Sequence, residues 1–219
     1  MIITKQKDPA VILEYLKDSK KIFLVGCNLC ATICKTGGEY AIEKTRGFLT
    51  DNGKTITGSA ILDPACNILE VKRFYRKHSK EIDASDAILS LACGGGTQTL
   101  TDIITGKDIF PANDTLFQGE IAEKSLKQSR FEQKCSLCGD CMLGLTGGIC
   151  PITRCPKSLI NGPCGGVIDG KCEVDRQKDC VWILIYKKLK ETGKLHMLKE
   201  TRPLKDHSKN KHPQDLTIK

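Results

Sequence analysis

The sequence predicts an α/β fold: a small parallel sheet with flanking helices, followed by a loop-rich cysteine-cluster domain and a C-terminal helix. Three observations predict it. Short apolar runs alternate with amphipathic stretches through the first half of the chain. Eight of the thirteen cysteines then fall within residues 135–180, four of them beside Gly or Pro. After them, CVWILIY opens a last helical pattern. The expected organisation is an α/β domain with strand-end cysteines over 1–106, a connector over 107–134, a cysteine-rich domain with its terminal helix over 135–198, and a basic tail over 199–219.

Residues 8–18 read as the first helix. Asp8 is placed to cap it, Pro9 suits the first helical position, and Val11, Ile12, Tyr15 and Leu16 form an apolar stripe. KIFLV, residues 21–25, reads as a buried strand that ends at Gly26 and leads into Cys27-x-x-Cys30-x-x-x-Cys34. A helix is expected over 39–51, ended by Asn52-Gly53. Residues 55–62 read as a second strand, followed by Asp63-Pro64-Ala65-Cys66. A helix over 68–80 carries Ile68, Val71 and Tyr75 on one face. Residues 86–92 read as a third strand, Cys93-Gly94-Gly95-Gly96 follows at once, and a helix is expected over 97–105. The connector is expected to hold a short helix over 120–128. The last helix, over 179–192, is expected to be capped by Asp179, lined by Trp182, Ile185 and Leu189, and ended by Gly193. From residue 199 the chain is polar and basic, and is expected to be loosely ordered.

In parallel α/β sheets, ligands bind at the carboxyl ends of the strands. Cys27 to Cys34, Cys66 and Cys93 each lie just past such an end, so three cysteine-bearing loops are expected to converge. One cluster is expected on Cys27, Cys30, Cys34 and Cys93. A free cysteine is often only a small buried residue. That plainer reading weighs most on Cys66, which stands alone in its loop and is expected to be spare or a substitute ligand.

The opening MIITKQKDPAVILEYLKD has no apolar signal core, which predicts a cytoplasmic protein with reduced thiols. No run approaches a membrane span. Thirteen cysteines in a reducing compartment read as metal ligands. The formal charge of +8 counts them all as neutral thiols. A four-thiolate metal site carries about −2, so two sites bring the protein to roughly +4. The basic residues are dispersed and no aromatics are interleaved with them, so no nucleic-acid partner is expected.

Thiolates suit zinc, copper(I) and iron–sulfur clusters. His78, His196, His207 and His212 all lie outside the cysteine groups, so any zinc site needs four cysteines. The hooks here are triplets, Cys27/Cys30/Cys34 and Cys135/Cys138/Cys141. C-x-x-C-x-x-C is the ferredoxin-type loop, which wraps three thiolates round a cube and takes a fourth from elsewhere, often before Pro. Cys150-Pro151 and Cys155-Pro156 both offer that fourth ligand. Four cysteines of the set Cys150, Cys155, Cys164, Cys172 and Cys180 then remain for a further cluster or a zinc ion. The expectation is two or three 4Fe-4S clusters, with zinc open at the last four-cysteine site. Glycines beside the cysteines would let the backbone approach a bulky cluster, although most loop glycines are only turn residues. There is no P-loop, no G-x-G-x-x-G, no Ser/His/Asp set and no flavin site, so no catalytic residue is assigned. Clusters without a substrate site suggest an electron-transfer subunit whose acceptor is on another chain. The alternatives are a zinc-binding assembly module that transfers no electrons, and an iron–sulfur enzyme acting alone.

The segment CSLCGDCMLGLTGGICPITRCPKSLINGPCGG, with the later GKCEV and DCVWILIYKKLKETGKL, resembles the methylenetetrahydrofolate reductase C-terminal domain family. Its members include the small iron–sulfur subunit of the two-subunit reductase of acetogenic bacteria. VGCNLCATICKTGGE, DPAC, ACGGGTQT and FPANDTLFQGE in the first half are similar to that subunit too. The resemblance runs over about residues 20–195, with NGPCGG and CPITRCPKSL its most specific parts. It implies a partner, a flavin-bearing catalytic subunit that reduces methylenetetrahydrofolate, with the flavin on that partner only. It places the protein in one-carbon or acetyl-CoA-pathway metabolism. The electron donor would be a protein such as ferredoxin or a nicotinamide-oxidising subunit.

Overall fold

The apolar run at residues 21–27 forms the strand on which the first half of the chain is built. The computed structural model describes residues 1–124 and 129–218. In chain order its first elements are β1 (Ile2–Gln6), α1 (Pro9–Tyr15), β2 (Lys21–Cys27), α2 (Cys30–Ile33), α3 (Glu39–Asp51), β3 (Thr55–Leu62), α4 (Ile68–Asp83), β4 (Ala87–Ser90), α5 (Gly94–Ile103) and β5 (Asp108–Pro111). β6 (Asn113–Lys124), β7 (Ser129–Gln133), α6 (Pro151–Arg154) and α7 (Val181–Glu191) complete them, with 3-10 turns at Leu143–Leu145, Leu195–Leu198 and His207–Asn210. The chain divides into two compact units, Met1–Phe117 and Gln118–Lys219.

The first unit holds a four-stranded sheet in the order β3-β2-β4-β5, with every pair parallel. Alternation along β2 sends Phe23, Val25 and Cys27 to one face and Ile22 and Leu24 to the other. The first face packs on Val71, Phe74 and Ile82 of α4 and Leu100 of α5. The second packs on Ile12 of α1 and Ala41, Ile42 and Leu49 of α3. Both faces of β2 and β4 are therefore covered, which is why both strands read as continuous apolar runs. A fully buried Phe23 or Leu24 contributes about 1.5–3 kcal/mol each through the area removed from water. Asp8 caps α1 as expected, its carboxylate accepting from the Ala10 N–H at 2.8 Å. Asp86 accepts the Lys20 and Lys21 N–H groups at 2.8 and 2.7 Å, fixing the start of β2 beside the start of β4.

Several sequence expectations are corrected. The helix expected over 97–105 begins at Gly94, with Cys93 as its N-cap, so the three glycines form its first turn. Within the expected connector, β5 is an edge strand of the sheet, with Ala87 opposite Asp108 and Ser90 opposite Pro111. Of the helix expected over 120–128, residues 120–124 are strand and 125–128 lie outside the described residues. Cross-strand pairs decide it, with Ile121 opposite Phe131 and Glu123 joined to Arg130 at 2.9 Å. β1 was not expected; its Thr4 is buried because the hydroxyl hydrogen-bonds to Thr36 at 2.7 Å. β6 pairs antiparallel with β7, Gly119 opposite Gln133.

The second unit has little regular structure before α7. Val181, Trp182, Ile185 and Leu189 of that helix make its core, joined by Cys180. Asp179 is not the cap: Cys180 holds that position, and the Asp179 carboxylate pairs with Lys171 at 2.7 Å. The residues after 199 are not loose throughout, because Arg202 is fastened to Ile160, Asn161 and Leu145.

Candidate metal centres

Among the described residues no three Cys, His, Asp or Glu groups already stand at metal-ligand spacing. Loops, hydrogen bonds and cavities nevertheless sort the thirteen thiols into groups.

In the first unit, β3, β2 and β4 are adjacent and parallel, so their carboxyl ends share one sheet edge. Cys27 is the last residue of β2 and lies opposite Leu62, the last residue of β3. Its N–H donates to the Gly37 carbonyl at 2.9 Å, closing the loop that holds Cys30 and Cys34. Ala65, Ala92, Ala31 and Cys27 belong to one buried cluster. Those alanines are the chain neighbours of Cys66, Cys93 and Cys30. Gly96 makes the closest of these approaches possible, because a Cβ there would lie 2.9 Å from the Ala92 Cβ and 3.0 Å from the Ala65 Cβ. Burial pushes the Cys66 thiol up, and the neighbouring Cys93, Cys27 and Cys30 thiols push it further in the same direction. Cys66 thus stands among the other three. Cys34 lies at the C-terminal end of α2, and its Sγ is 3.8 Å from the Ile2 carbonyl of β1.

Asn113 is a contributor that sequence reasoning missed. It is buried, and its Nδ2 donates to the carbonyls of Thr36 and Ala92 at 3.2 and 3.3 Å, tying the loop after Cys34 to the residue before Cys93. Its Oδ1 is buried with no hydrogen-bond partner among the described residues. The only signal was its position within FPANDTLFQGE. The Gly94 N–H donates to Thr115 Oγ1 at 2.7 Å, so this donor is not free for a ligand.

In the second unit, Leu137 and Gly139 take left-handed backbone conformations, which coils Cys135, Cys138 and Cys141 into one tight loop. The Leu137 N–H donates to Cys135 Sγ at 3.3 Å. Cys150 Sγ is 3.6 Å from Thr153 Oγ1, and that hydroxyl is 2.7 Å from Ser136 Oγ, inside the triplet loop. Burial pushes the Cys138 thiol up, but hydrogen bonding at the Asp140 backbone and the Lys205 ammonium outweigh it and hold the thiol below its ordinary value.

Cys155, Cys164, Cys172 and Cys180 together line a separate cavity of about 20 Å³. Cys155 and Cys180 also share the core around Trp182. The Cys180 N–H donates to the Gly170 carbonyl and the Cys172 N–H to the Lys178 carbonyl, at 2.8 and 2.9 Å, which folds residues 168–180 back on themselves. Cys164 Sγ donates to Glu173 Oε2 at 3.0 Å, and Lys157 pairs with the same oxygen. The donor chemistry of every group, thiolate alone, fits zinc or an iron–sulfur cluster.

The fold and the thiols define the class: an α/β unit with cysteines at its strand ends, joined to a loop-rich unit built round eight more. Residues 110–208 match the family described as methylene-tetrahydrofolate reductase C terminal. No curated protein matches the chain. Among solved structures, unliganded arylmalonate decarboxylase is similar at 18% identity and a TM-score of 0.34, over 47% of this chain and 46% of that one. The chain therefore spans less than half of that structure, and a likeness at this level carries no argument. No described helix is long and apolar enough to cross a membrane.

Proposed function

We propose that this chain is the iron–sulfur electron-transfer subunit of a methylenetetrahydrofolate reductase. It would pass electrons to a flavin-bearing catalytic subunit that reduces methylenetetrahydrofolate to methyltetrahydrofolate, drawing them from ferredoxin or a nicotinamide-oxidising subunit in the cytoplasm. The family of residues 110–208 suggests association with a reductase complex. The observation that carries the electron-transfer reading is the link from Cys150 through Thr153 to Ser136, which joins a fourth thiol to a ferredoxin-type triplet.

Cys135, Cys138, Cys141 and Cys150 would hold one 4Fe-4S cluster. Cys27, Cys30 and Cys93 would hold another, and the packing of Ala65 against Gly96 and Ala92 favours Cys66 over Cys34 as its fourth thiolate. Each cluster, when bound, supplies one-electron transfer. The chain's own contribution is to hold the thiolates, limit water around them and set the local charge.

A specific observation favours zinc at Cys155, Cys164, Cys172 and Cys180. The four thiols line one void of about 20 Å³, which would admit a single ion. Zinc there would brace the base of α7.

The test is reconstitution. The flavin subunit is assayed for ferredoxin-dependent methylenetetrahydrofolate reduction with and without this chain. The proposal expects the rate to require the chain, and to be lost in C138S. Equal rates with and without it would refute an electron-transfer role and leave an assembly module.

A further inference from the structure

The basic segment after α7 lies across the triplet loop, although nothing in its composition calls for order. Arg202 fastens it. The Arg202 N–H donates to Asn161 Oδ1 at 2.8 Å, and Asn161 Nδ2 donates back to the Arg202 carbonyl at 2.9 Å. The guanidinium donates to the Ile160 and Leu145 carbonyls at 3.1 and 3.0 Å. Three residues on, the Lys205 ammonium reaches the Asp140 carbonyl at 3.4 Å, and the Cys138 Sγ lies 3.7 Å from that same oxygen. Lys209 pairs with the Asp140 carboxylate at 3.0 Å. The approach is close enough to require glycine: at Gly139, φ is +71° and a Cβ would lie 2.2 Å from the Lys209 carbonyl oxygen.

The charges in this contact are unequal. Lys209 is neutralised by Asp140, whereas no carboxylate pairs with Lys205 among the described residues. The segment therefore brings one uncompensated positive charge to the triplet loop, at the carbonyl that the Cys138 thiol also meets.

We propose that residues 202–209 form a strap that holds the Lys205 ammonium against the Cys135–Cys138–Cys141 loop and thereby raises the reduction potential of the centre bound there. This rests on the reading that those thiolates hold a redox-active iron–sulfur centre. Reduction adds one negative charge to a site already negative, and a fixed cation beside it favours the reduced form. Lys205 is the positioning residue for that charge; Arg202 and the Lys209–Asp140 pair hold the strap in place.

The test is a redox titration of the full chain, purified without oxygen and followed by electron paramagnetic resonance. The signal of this centre is identified by its loss in C138S. K205Q is expected to lower the potential so that, at a fixed solution potential, the oxidised-to-reduced ratio rises by about tenfold, or ~59 mV for one electron. K205R, which keeps the charge, is expected to restore most of the shift, and K190Q on the exposed side of α7 is expected to leave it unchanged. An unshifted potential in K205Q at full iron content overturns the strap proposal alone. Loss of iron in K205Q overturns tuning in favour of a structural role. Absence of any iron signal in the wild-type chain overturns both the strap and the electron-transfer reading beneath it.

Discussion

Replacing Arg202 by alanine should unfasten the C-terminal segment without unfolding either unit. The perturbation removes two guanidinium hydrogen bonds, to Ile160 and Leu145, and leaves the reciprocal Asn161 pair on the Arg202 backbone intact. Hydrogen bonds to a charged group contribute about 1.5–3 kcal/mol each. Arg202 is only half-buried, so water replaces part of what is lost and the lower figure applies. Two such bonds amount to about 3 kcal/mol, which is on the order of 150-fold in the opening equilibrium of the segment. Native-state amide hydrogen exchange reads this directly. The Arg202 and Ser208 amides, both hydrogen-bonded to side chains, should exchange on the order of 100-fold faster in R202A, while the amides of β2 and α7 stay unchanged. Arg202→Lys should fall between, because an ammonium cannot reproduce the two-pronged contact. Unchanged exchange at Arg202 and Ser208 would show that the guanidinium does not fasten the segment, and loss of protection throughout α7 would show that it holds the whole unit.

Three further outcomes follow from the first unit. C66S should remove the iron of the strand-end centre and C34S should leave most of it, measured as iron per chain; the reverse pattern would return the fourth ligand to Cys34. In G96A the new Cβ meets Ala92 and Ala65 at 2.9 and 3.0 Å. Overpacking costs about 1–3 kcal/mol and the better helix residue returns about 1. A net loss of roughly 1 kcal/mol is expected in urea unfolding, and a stabilised variant would contradict the close approach. The N–H groups of Lys21 and Lys20 hold the Asp86 carboxyl below its ordinary value of 3.8. A carboxyl lowered in the folded state stabilises above the unfolded value and loses that contribution as pH falls through the folded one. Stability should therefore decline below about pH 4 in the wild type and less steeply in D86N; identical profiles would show that the Asp86 contact contributes nothing.

The sheet was legible because β2 and β4 are covered on both faces and so read as unbroken apolar runs. The limits of α3 and β3 were equally legible, from the Asn52-Gly53 break and the flanking loops. β1 was not, since only Thr36, far along the chain, makes burial of Thr4 acceptable. Residues 120–124 carry a helix-like mixture of charges that is satisfied instead across strands, Glu120 by Lys134 and Glu123 by Arg130. Among the cysteines, spacing identified the triplets but could not separate Cys150 from Cys155. In the structure the Thr153 hydroxyl stands beside Cys150, whereas Cys155 packs with the Trp182 core. The strap was hidden for a similar reason: a Pro- and Lys-rich tail looks the same in sequence whether or not a distant carbonyl pair receives its arginine.

The most direct test of the central claim is metal and sulfide analysis of the chain purified without oxygen, with a spectrum recorded before and after dithionite reduction. An electron-transfer subunit of this kind should be brown, with about eight irons per chain in two four-iron clusters, one zinc, and a paramagnetic signal that appears on reduction. A colourless protein holding zinc and no iron would contradict it.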